Sequence, residues 1–319
     1  MKRAPSHAGR LPVWERLVFA MVFALMVAFV VAVTVSATKL GNFDAPGGAR
    51  PALQPLAGRI QAVVGGASGQ LSTAGQGRRA QLDRRLAAAL APVLRGRPGH
   101  LAVGVIDTAT GAEAVYGANR HFHTASIVKA DILAAALLQS QQQGAALTDA
   151  EADLAVSMIE DSDNADATSL WNLLGGGSAI AAANLTLGLS HTIMGPSSYW
   201  GLTSTTVVDQ LRLLTDLTSS SSPLSSASQD YELGLMENVE PGQQWGVSAA
   251  ARPGSTYAIK DGWLPDPALW VVDSIGVVRH DGQQLLIAVL SDGQPTEADG
   301  IAVDSAAAVA AARVITSVR

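Results

Sequence analysis

Strand-like runs stand only at the two ends of the region from residue 77 to 319, and the chain between them reads as helix. Near the start, Leu101 to Asp107 is a continuous apolar run, the pattern of a buried strand. Thr108 to Gly111 is its turn, and Glu113 to Tyr116 the returning strand. Near the end, Thr256 to Gly262, Leu269 to His280 and Gln283 to Leu290 read as strands. The last two flank Asp281-Gly282, a strong signal for a type I′ hairpin turn. A helix over Arg78 to Leu94 precedes the first strand, with Leu82, Leu86, Leu90 and Leu94 at every fourth position, and a closing helix covers Ala298 to Val318. The simplest arrangement is an antiparallel sheet completed by both ends of the domain. Helices flank it, and a helical subdomain is inserted: an α/β fold of the α+β kind. A site would lie in the crevice between sheet and insert.

Within the insert, Ala130 to Leu138 reads as a buried helix, with Thr124 as its expected N-cap. Ser126 and Lys129 then share one face of the first turn. The positive end of the helix dipole favours a neutral lysine, and a neutral lysine beside a serine can activate it as a nucleophile. The spacing alone is not specific, because Ser36-Ala37-Thr38-Lys39 repeats it. Lysine usage adds weight. Past residue 39 only Lys129 and Lys260 remain, and arginine supplies every other basic side chain. Arginine cannot give up its proton near neutral pH, whereas lysine can.

Further along, Thr148-Asp149-Ala150-Glu151 is a capping box that starts a helix running to about Glu160. Asp161 to Asn164 breaks it, Asp166 to Leu174 resumes as helix, and Val207 to Leu217 is the clearest later helix. At the break, Ser162-Asp163-Asn164 offers a second hydroxyl to relay a proton and an amide to bind a carbonyl. The same residues also suit an ordinary polar turn. A calcium loop is excluded, because Ala165 occupies a ligand position and no loop glycine follows. On the last sheet segment, Lys260-Asp261-Gly262, followed by Trp263, offers a cation for a substrate carboxylate and a glycine that lets a ligand lie against the strand. An edge-strand lysine that blocks aggregation is the bland alternative.

Taken in order, these three stretches resemble the serine β-lactamase and penicillin-binding superfamily, most closely its class A-like branch. The family's S-x-x-K, S-D-N and K-T-G motifs read here Ser126-Ile127-Val128-Lys129, Ser162-Asp163-Asn164 and Lys260-Asp261-Gly262. The resemblance covers about residues 77–319. It implies that Ser126 is acylated, that Lys129 is its base or proton relay, and that Ser162 passes the proton to the leaving nitrogen. It implies that Asn164 orients the substrate, that Lys260 faces its carboxylate, and that the N–H groups of Ser126 and Trp263 form the oxyanion hole. The implied substrate is a β-lactam or a peptidoglycan-type amide, with no cofactor or metal. Three departures stand out. Asp261 replaces a hydroxyl residue and would set a negative charge beside an anionic substrate. The interval from Ser126 to Ser162 is shorter than is usual in class A enzymes. No Asp or Glu lies between Asp166 and Asp209, where class A enzymes carry the glutamate that hydrolyses the acyl-enzyme. The corresponding loop, near His191 to Gly201, offers His191, Ser197, Ser198 and Tyr199 instead. Three functions fit: a β-lactamase-like hydrolase with slow deacylation, a D,D-peptidase-like penicillin-binding acyl-enzyme, and an inactive cell-wall-binding domain.

Composition removes other classes. The net charge of -6 gives no basic footprint for nucleic acid. The absence of cysteine excludes disulfides, a thiol nucleophile and a lipidated N-terminal cysteine. There is no G-x-S-x-G elbow, P-loop or dinucleotide fingerprint. His121 and His123 form the only close histidine pair, without a cysteine to complete a metal site. The chain is read as a monomer. At the N-terminus, Lys2, Arg3, Arg10 and Arg16 precede an uncharged run over residues 17–38, long enough to span a bilayer. This gives a cytoplasmic segment 1–16, an anchor 17–38 and a Gly/Ala/Pro/Ser/Gln-rich tether 39–76, with the domain on the extracytoplasmic side. A cleavable signal ending at Val35-Ser36-Ala37, releasing a secreted protein, is the alternative. Protease added to intact cells is expected to remove the domain; protection until lysis would overturn this topology.

Overall fold

The computed structural model describes residues 75–266 and 268–317. The expected anchor 17–38 and nearly all of the tether lie outside the described residues. Among the described residues no helix is long and apolar enough to cross a membrane. Helix α1 covers 75–94 and buries Leu82, Leu86 and Leu90, three of the four leucines spaced for it.

Five strands form one antiparallel sheet: β1 (His100–Asp107), β2 (Ala112–Tyr116), β5 (Tyr257–Asp266), β6 (Leu269–His280) and β7 (Gln283–Gln294), in the order β2-β1-β7-β6-β5. The two ends of the domain meet where β1 pairs with β7, from His100↔Asp292 to Asp107↔Leu285. Asp281 and Gly282 take φ of 51° and 80° in the β6–β7 turn, as the type I′ signal requires. β5 runs past Gly262 to Asp266. Its extra residues include Pro265, which an edge strand tolerates because no ladder N–H is needed there. β7 likewise continues past Leu290, because Ser291 and Asp292 still have partners on β1.

Between the sheet's two parts lie β3 (His121–His123), α2 (Val128–Gln142), α3 (Asp149–Glu160), α4 (Asn164–Leu173) and α5 (Gly177–Leu187). They are followed by β4 (Ser204–Thr206), α6 (Val207–Asp216) and α7 (Ser226–Glu237). β3 and β4 form a separate two-stranded ribbon. The closing helix is α8 (Glu297–Thr316). The capping box forms as read: Thr148 Oγ1 accepts from the Glu151 N–H, and the Glu151 carboxylate accepts from the Thr148 N–H. Gly104 on β1 leaves room for Leu211 of α6, and Gly300 of α8 lies against Val272 of β6. An added Cβ at either glycine would come within 2.5 Å of those side chains, so both let helices sit close to the sheet.

Every residue of α2 from Val128 to Leu138 is buried, so this helix is enclosed on all sides rather than amphipathic. Two carboxyls are enclosed with it. Asp131 accepts a hydrogen bond from Asn184 Nδ2 at 2.9 Å, and Glu232 of α7 is fully buried. Burial pushes Asp131 up to about 7, opposed by the Asn184 hydrogen bond and assisted by the charge of Asp209. Burial, and secondarily Asp131, raises Glu232 well above the carboxylate range. A carboxyl raised in the folded state costs nothing below about pH 3, where both states hold the proton. As the pH climbs from about 4 to 7 the unfolded chain ionises first and stability falls. Asp131→Asn is therefore expected to stabilise the fold at pH 8, by on the order of 4 kcal/mol at most, read out as a higher thermal midpoint. The gain should vanish below about pH 3, and a pH-independent difference would refute this.

Candidate active site

The turn that carries Ser126 is built differently from the expected cap. Ala125–Ile127 forms a 3-10 turn ahead of α2, and Thr124 makes no side-chain cap. The Thr124 carbonyl accepts from the Ile127 N–H at 3.1 Å, and its N–H donates to the Thr203 carbonyl at 2.8 Å. Ala125 is held at φ 43°, a left-handed conformation that a residue with a Cβ rarely takes. Strain of this kind persists only where the surroundings impose it. Here Gly262 of β5 supplies part of that constraint. A Cβ on Gly262 would lie 2.7 Å from the Ser126 nitrogen, 2.8 Å from the Ile127 nitrogen and 2.8 Å from the Thr124 oxygen. The edge strand is therefore pressed against the Ser126 turn, and only glycine permits it.

Ser162 sits at the break between α3 and α4 at φ 58°. Asp163 holds that break by accepting from the Asp166 N–H at 2.8 Å as the N-cap of α4. Both late lysines converge on the Ser162 hydroxyl. Lys129 Nζ donates to Ser162 Oγ at 2.9 Å, and Lys260 Nζ donates to the same atom at 3.0 Å. Lys129 also donates to the Ser162 carbonyl at 2.5 Å and to Asn164 Oδ1 at 2.8 Å. Both lysines are fully buried. Burial, and next the charge of Lys260, lowers Lys129 to about 7 against the pull of Asp163. Burial also lowers Lys260, opposed by the charges of Asp261 and Glu240. Lys129 spends its three donors on Ser162 and Asn164 and none on Ser126, the arrangement of an ammonium. Loss of the proton leaves two donors and one lone pair. The half-buried Ser126, Lys129, Ser162, Asn164, Lys260 and Gly262 are thus brought together. Trp263 follows on the same strand, with its ring edge-on to Trp245 at 6.0 Å.

Asp261 is the exception and corrects the expectation of a substrate contact. Successive strand residues face opposite sides, so Asp261 points away from Lys260. It is fully buried opposite Ser274 of β6, and its carboxylate accepts from the Trp245 N–H at 3.2 Å. Burial raises its pKa against the Ser274, Trp245 and Lys260 interactions, which favours the neutral acid. The charge expected to repel an anionic substrate is therefore turned away from the site, and burial favours its neutral form.

The loop over residues 189–203 carries no Asp or Glu. His191 is 63 % exposed, and its Nδ1 faces both Ser190 Oγ (3.1 Å) and Asp209 Oδ1 (3.5 Å). A relay would need the two on opposite ring nitrogens. Ser197, Ser198 and Tyr199 are exposed. The loop residue that does reach the site is Trp200, whose ring centroid lies 5.0 Å from Lys129 Nζ. A search for proton acceptors in the sequence passes over it, because indole is only a donor. Among the described residues no group of three or more His, Asp or Glu could hold a metal.

The model of the β-lactamase enzyme family matches residues 84–151 and 150–316. The chain belongs to the β-lactamase enzyme family. Its motifs occupy the sheet edge and the helical insert of that fold, as the resemblance implied. A class A β-lactamase from Bacteroides cellulosilyticus DSM 14838 is similar with a TM-score of 0.65 at 17% identity, over 74% of this chain and 99% of that one. A β-lactamase from Burkholderia vietnamiensis gives 0.63 at 22%, over 73% and 97%. A mutant of PBP-A, in an acyl-enzyme complex with penicillin-G, gives 0.64 at 19%, over 74% and 97%. At these identities the likeness to the solved structures is one of fold. No curated protein matches the sequence.

Gly262→Ala is expected to displace the Ser126 turn, because the atoms it would strike are backbone and cannot swing aside. Covalent labelling of Ser126 should slow by on the order of 10²-fold with the circular dichroism spectrum preserved. Unchanged labelling would show that β5 does not hold the Ser126 turn.

Proposed function

We propose that this chain is an exported serine hydrolase, anchored by residues 17–38 and acting as a monomer. A β-lactam or a related cell-wall amide acylates it at Ser126, and the acyl group leaves slowly. The observation that carries this reading is the convergence of two buried lysines on the Ser162 hydroxyl beside the Ser126 turn. A neutral Lys129 turns its lone pair toward Ser126 and accepts the hydroxyl proton as Ser126 Oγ bonds to the carbonyl carbon. The carbon–nitrogen bond then breaks, and the Ser162 hydroxyl protonates the departing nitrogen, refilled from Lys129. The Ser126 N–H, with Trp263, stabilises the oxyanion, Asn164 orients the substrate, and Lys260 both polarises Ser162 and attracts a substrate carboxylate. Hydrolysis of the ester needs a second base, and the 189–203 loop offers no carboxylate. That lack also favours a penicillin-binding acyl-enzyme acting on wall peptides as the second reading.

Intact-mass measurement during reaction with a penicillin tests the proposal. A burst equal to one adduct per chain, then slow steady turnover, is expected; fast turnover without a burst contradicts slow deacylation. Ser126→Ala should abolish the adduct, and an adduct persisting on another serine would refute the assignment. Lys129→Arg should slow acylation by about 10²–10⁴-fold, since arginine keeps the charge but accepts no proton.

A further inference from the structure

We propose that Asp261 is a positioning residue for acylation: its carboxyl ties the edge strand β5 to the segment 244–247, and so sets where Lys260 and Gly262 stand against the Ser126 turn. The inference rests on the reading that Ser126 is acylated.

Among the described residues β6 alone pairs with β5, so Lys260 and Gly262 stand on a strand with ladder hydrogen bonds on one side only. The segment 244–247 supplies a second hold. Tyr257 Oη donates to Gln244 Oε1 at 2.8 Å, and the Asp261 carboxyl accepts from the Trp245 N–H at 3.2 Å. The ring of Trp263 meets that of Trp245 at 6.0 Å. Tyr257, Asp261 and Trp263 alternate with Lys260 and Gly262, so all three ties lie on the face of β5 that is turned away from the site. The segment is in turn anchored beyond β5. The Gly246 N–H donates to Ser305 Oγ of α8 at 3.2 Å, and the Val247 N–H donates to Ser274 Oγ of β6 at 2.8 Å. Three successive N–H groups are thereby shared among β5, α8 and β6. Gly246 permits this, with φ at 60° and no Cβ to lie 2.3 Å from the Ser274 side chain.

Of the three ties, the one at Asp261 falls between the two residues that matter. The Asp261 carbonyl accepts from Lys260 Nζ at 3.2 Å, and the next residue, Gly262, is the one packed against the Ser126 turn. Fixing Asp261 therefore fixes both. The chemistry of the side chain suits this task. Its carboxyl is fully buried, one oxygen taking the Trp245 N–H and Oδ1 having no hydrogen-bond partner among the described residues. A neutral acid offers one acceptor and one donor, as an amide does. The hydroxyl that the K-T-G motif places here ends one atom nearer the backbone, so it leaves the Trp245 N–H without this acceptor. The departure at Asp261 thus exchanges a substrate contact for a hold on the strand.

The test is the rate at which the adduct on Ser126 forms, followed by intact mass with a penicillin and with its uncharged methyl ester. Near-ultraviolet circular dichroism reports the Trp245–Trp263 pair alongside. Asp261→Thr is expected to slow both probes about tenfold, by the same factor, and to alter the tryptophan signal while the far-ultraviolet spectrum is kept. Asp261→Asn keeps the shape and the acceptor, and should stay within about twofold of the unmodified protein with both probes. Ser274→Ala frees the Val247 N–H from β6 without altering β5, and should slow both probes about threefold. Asp261→Asn as slow as Asp261→Thr would overturn the inference, and so would unchanged rates in Asp261→Thr or Ser274→Ala. Faster acylation of Asp261→Thr by the penicillin but not by its ester would also overturn it, because Asp261 would then act through its charge on the substrate. Failure of Ser126 to form any adduct in the unmodified protein would instead refute the serine-hydrolase reading, and this inference with it.

Discussion

Two ammonium groups within hydrogen-bond reach of one hydroxyl cannot both keep their ordinary basicity inside a protein. The Lys129–Ser162–Lys260 contact is therefore the constraint on which the rest of the site depends. Each lysine must be buried to be perturbed, and each must come from a different part of the fold to meet the other. Lys129 is supplied by a helix enclosed on every side, Lys260 by the edge strand, and Ser162 by a helix break. Desolvation disfavours both charges; the charge of Lys260 adds to it at Lys129, whereas Asp261 and Glu240 oppose it at Lys260. The setting of the Ser162 hydroxyl is thus a property of the packing of three elements and not of any one motif.

Holding these pieces in register requires backbone that would not otherwise be chosen. Ala125, the residue before Ser126, and Ser162 both adopt positive φ. Conformations of this sort cost of order 1–3 kcal/mol each and last only where tertiary contacts overdetermine them. For Ala125 those contacts are Gly262 and the Thr203 carbonyl, one from the sheet and one from the loop. Sheet, insert and loop are consequently fixed with respect to one another at the single point where Ser126 sits.

Much of this was legible in the sequence. The type I′ turn at Asp281-Gly282, the capping box at Thr148 and the leucine spacing of α1 are local signals with local causes, and each appears where it was read. The scarcity of lysine was the better pointer to the site, because it asks what chemistry a buried amine is kept for. Three things were missed for physical reasons. Thr124 reads as a helix cap, but tertiary contacts force a 3-10 turn whose backbone hydrogen bonds leave its hydroxyl buried without a partner. Asp261 reads as part of a substrate motif. Its side of the strand is fixed by Ser274 and Trp245, neither of which is near it in sequence. Trp200 carries no titratable group, so nothing in its chemistry distinguishes it until the loop is folded against Lys129.

The pairing of β1 with β7 has a consequence for how the domain comes into being. Val105 lies opposite Ile287, so the central ladder closes a loop of most of the domain's length. Contacts of such high sequence separation bring their reward only after the entropy of closing that loop has been met, which slows folding and delays it. As the chain is synthesised from its N-terminus, β1 and β2 can form only an isolated hairpin, which is marginal in water by itself. The insert that carries Ser126 has no sheet to pack against until the last strands arrive. The site is therefore assembled in one late step, when the C-terminal hairpin docks and brings Lys260 and Gly262 with it.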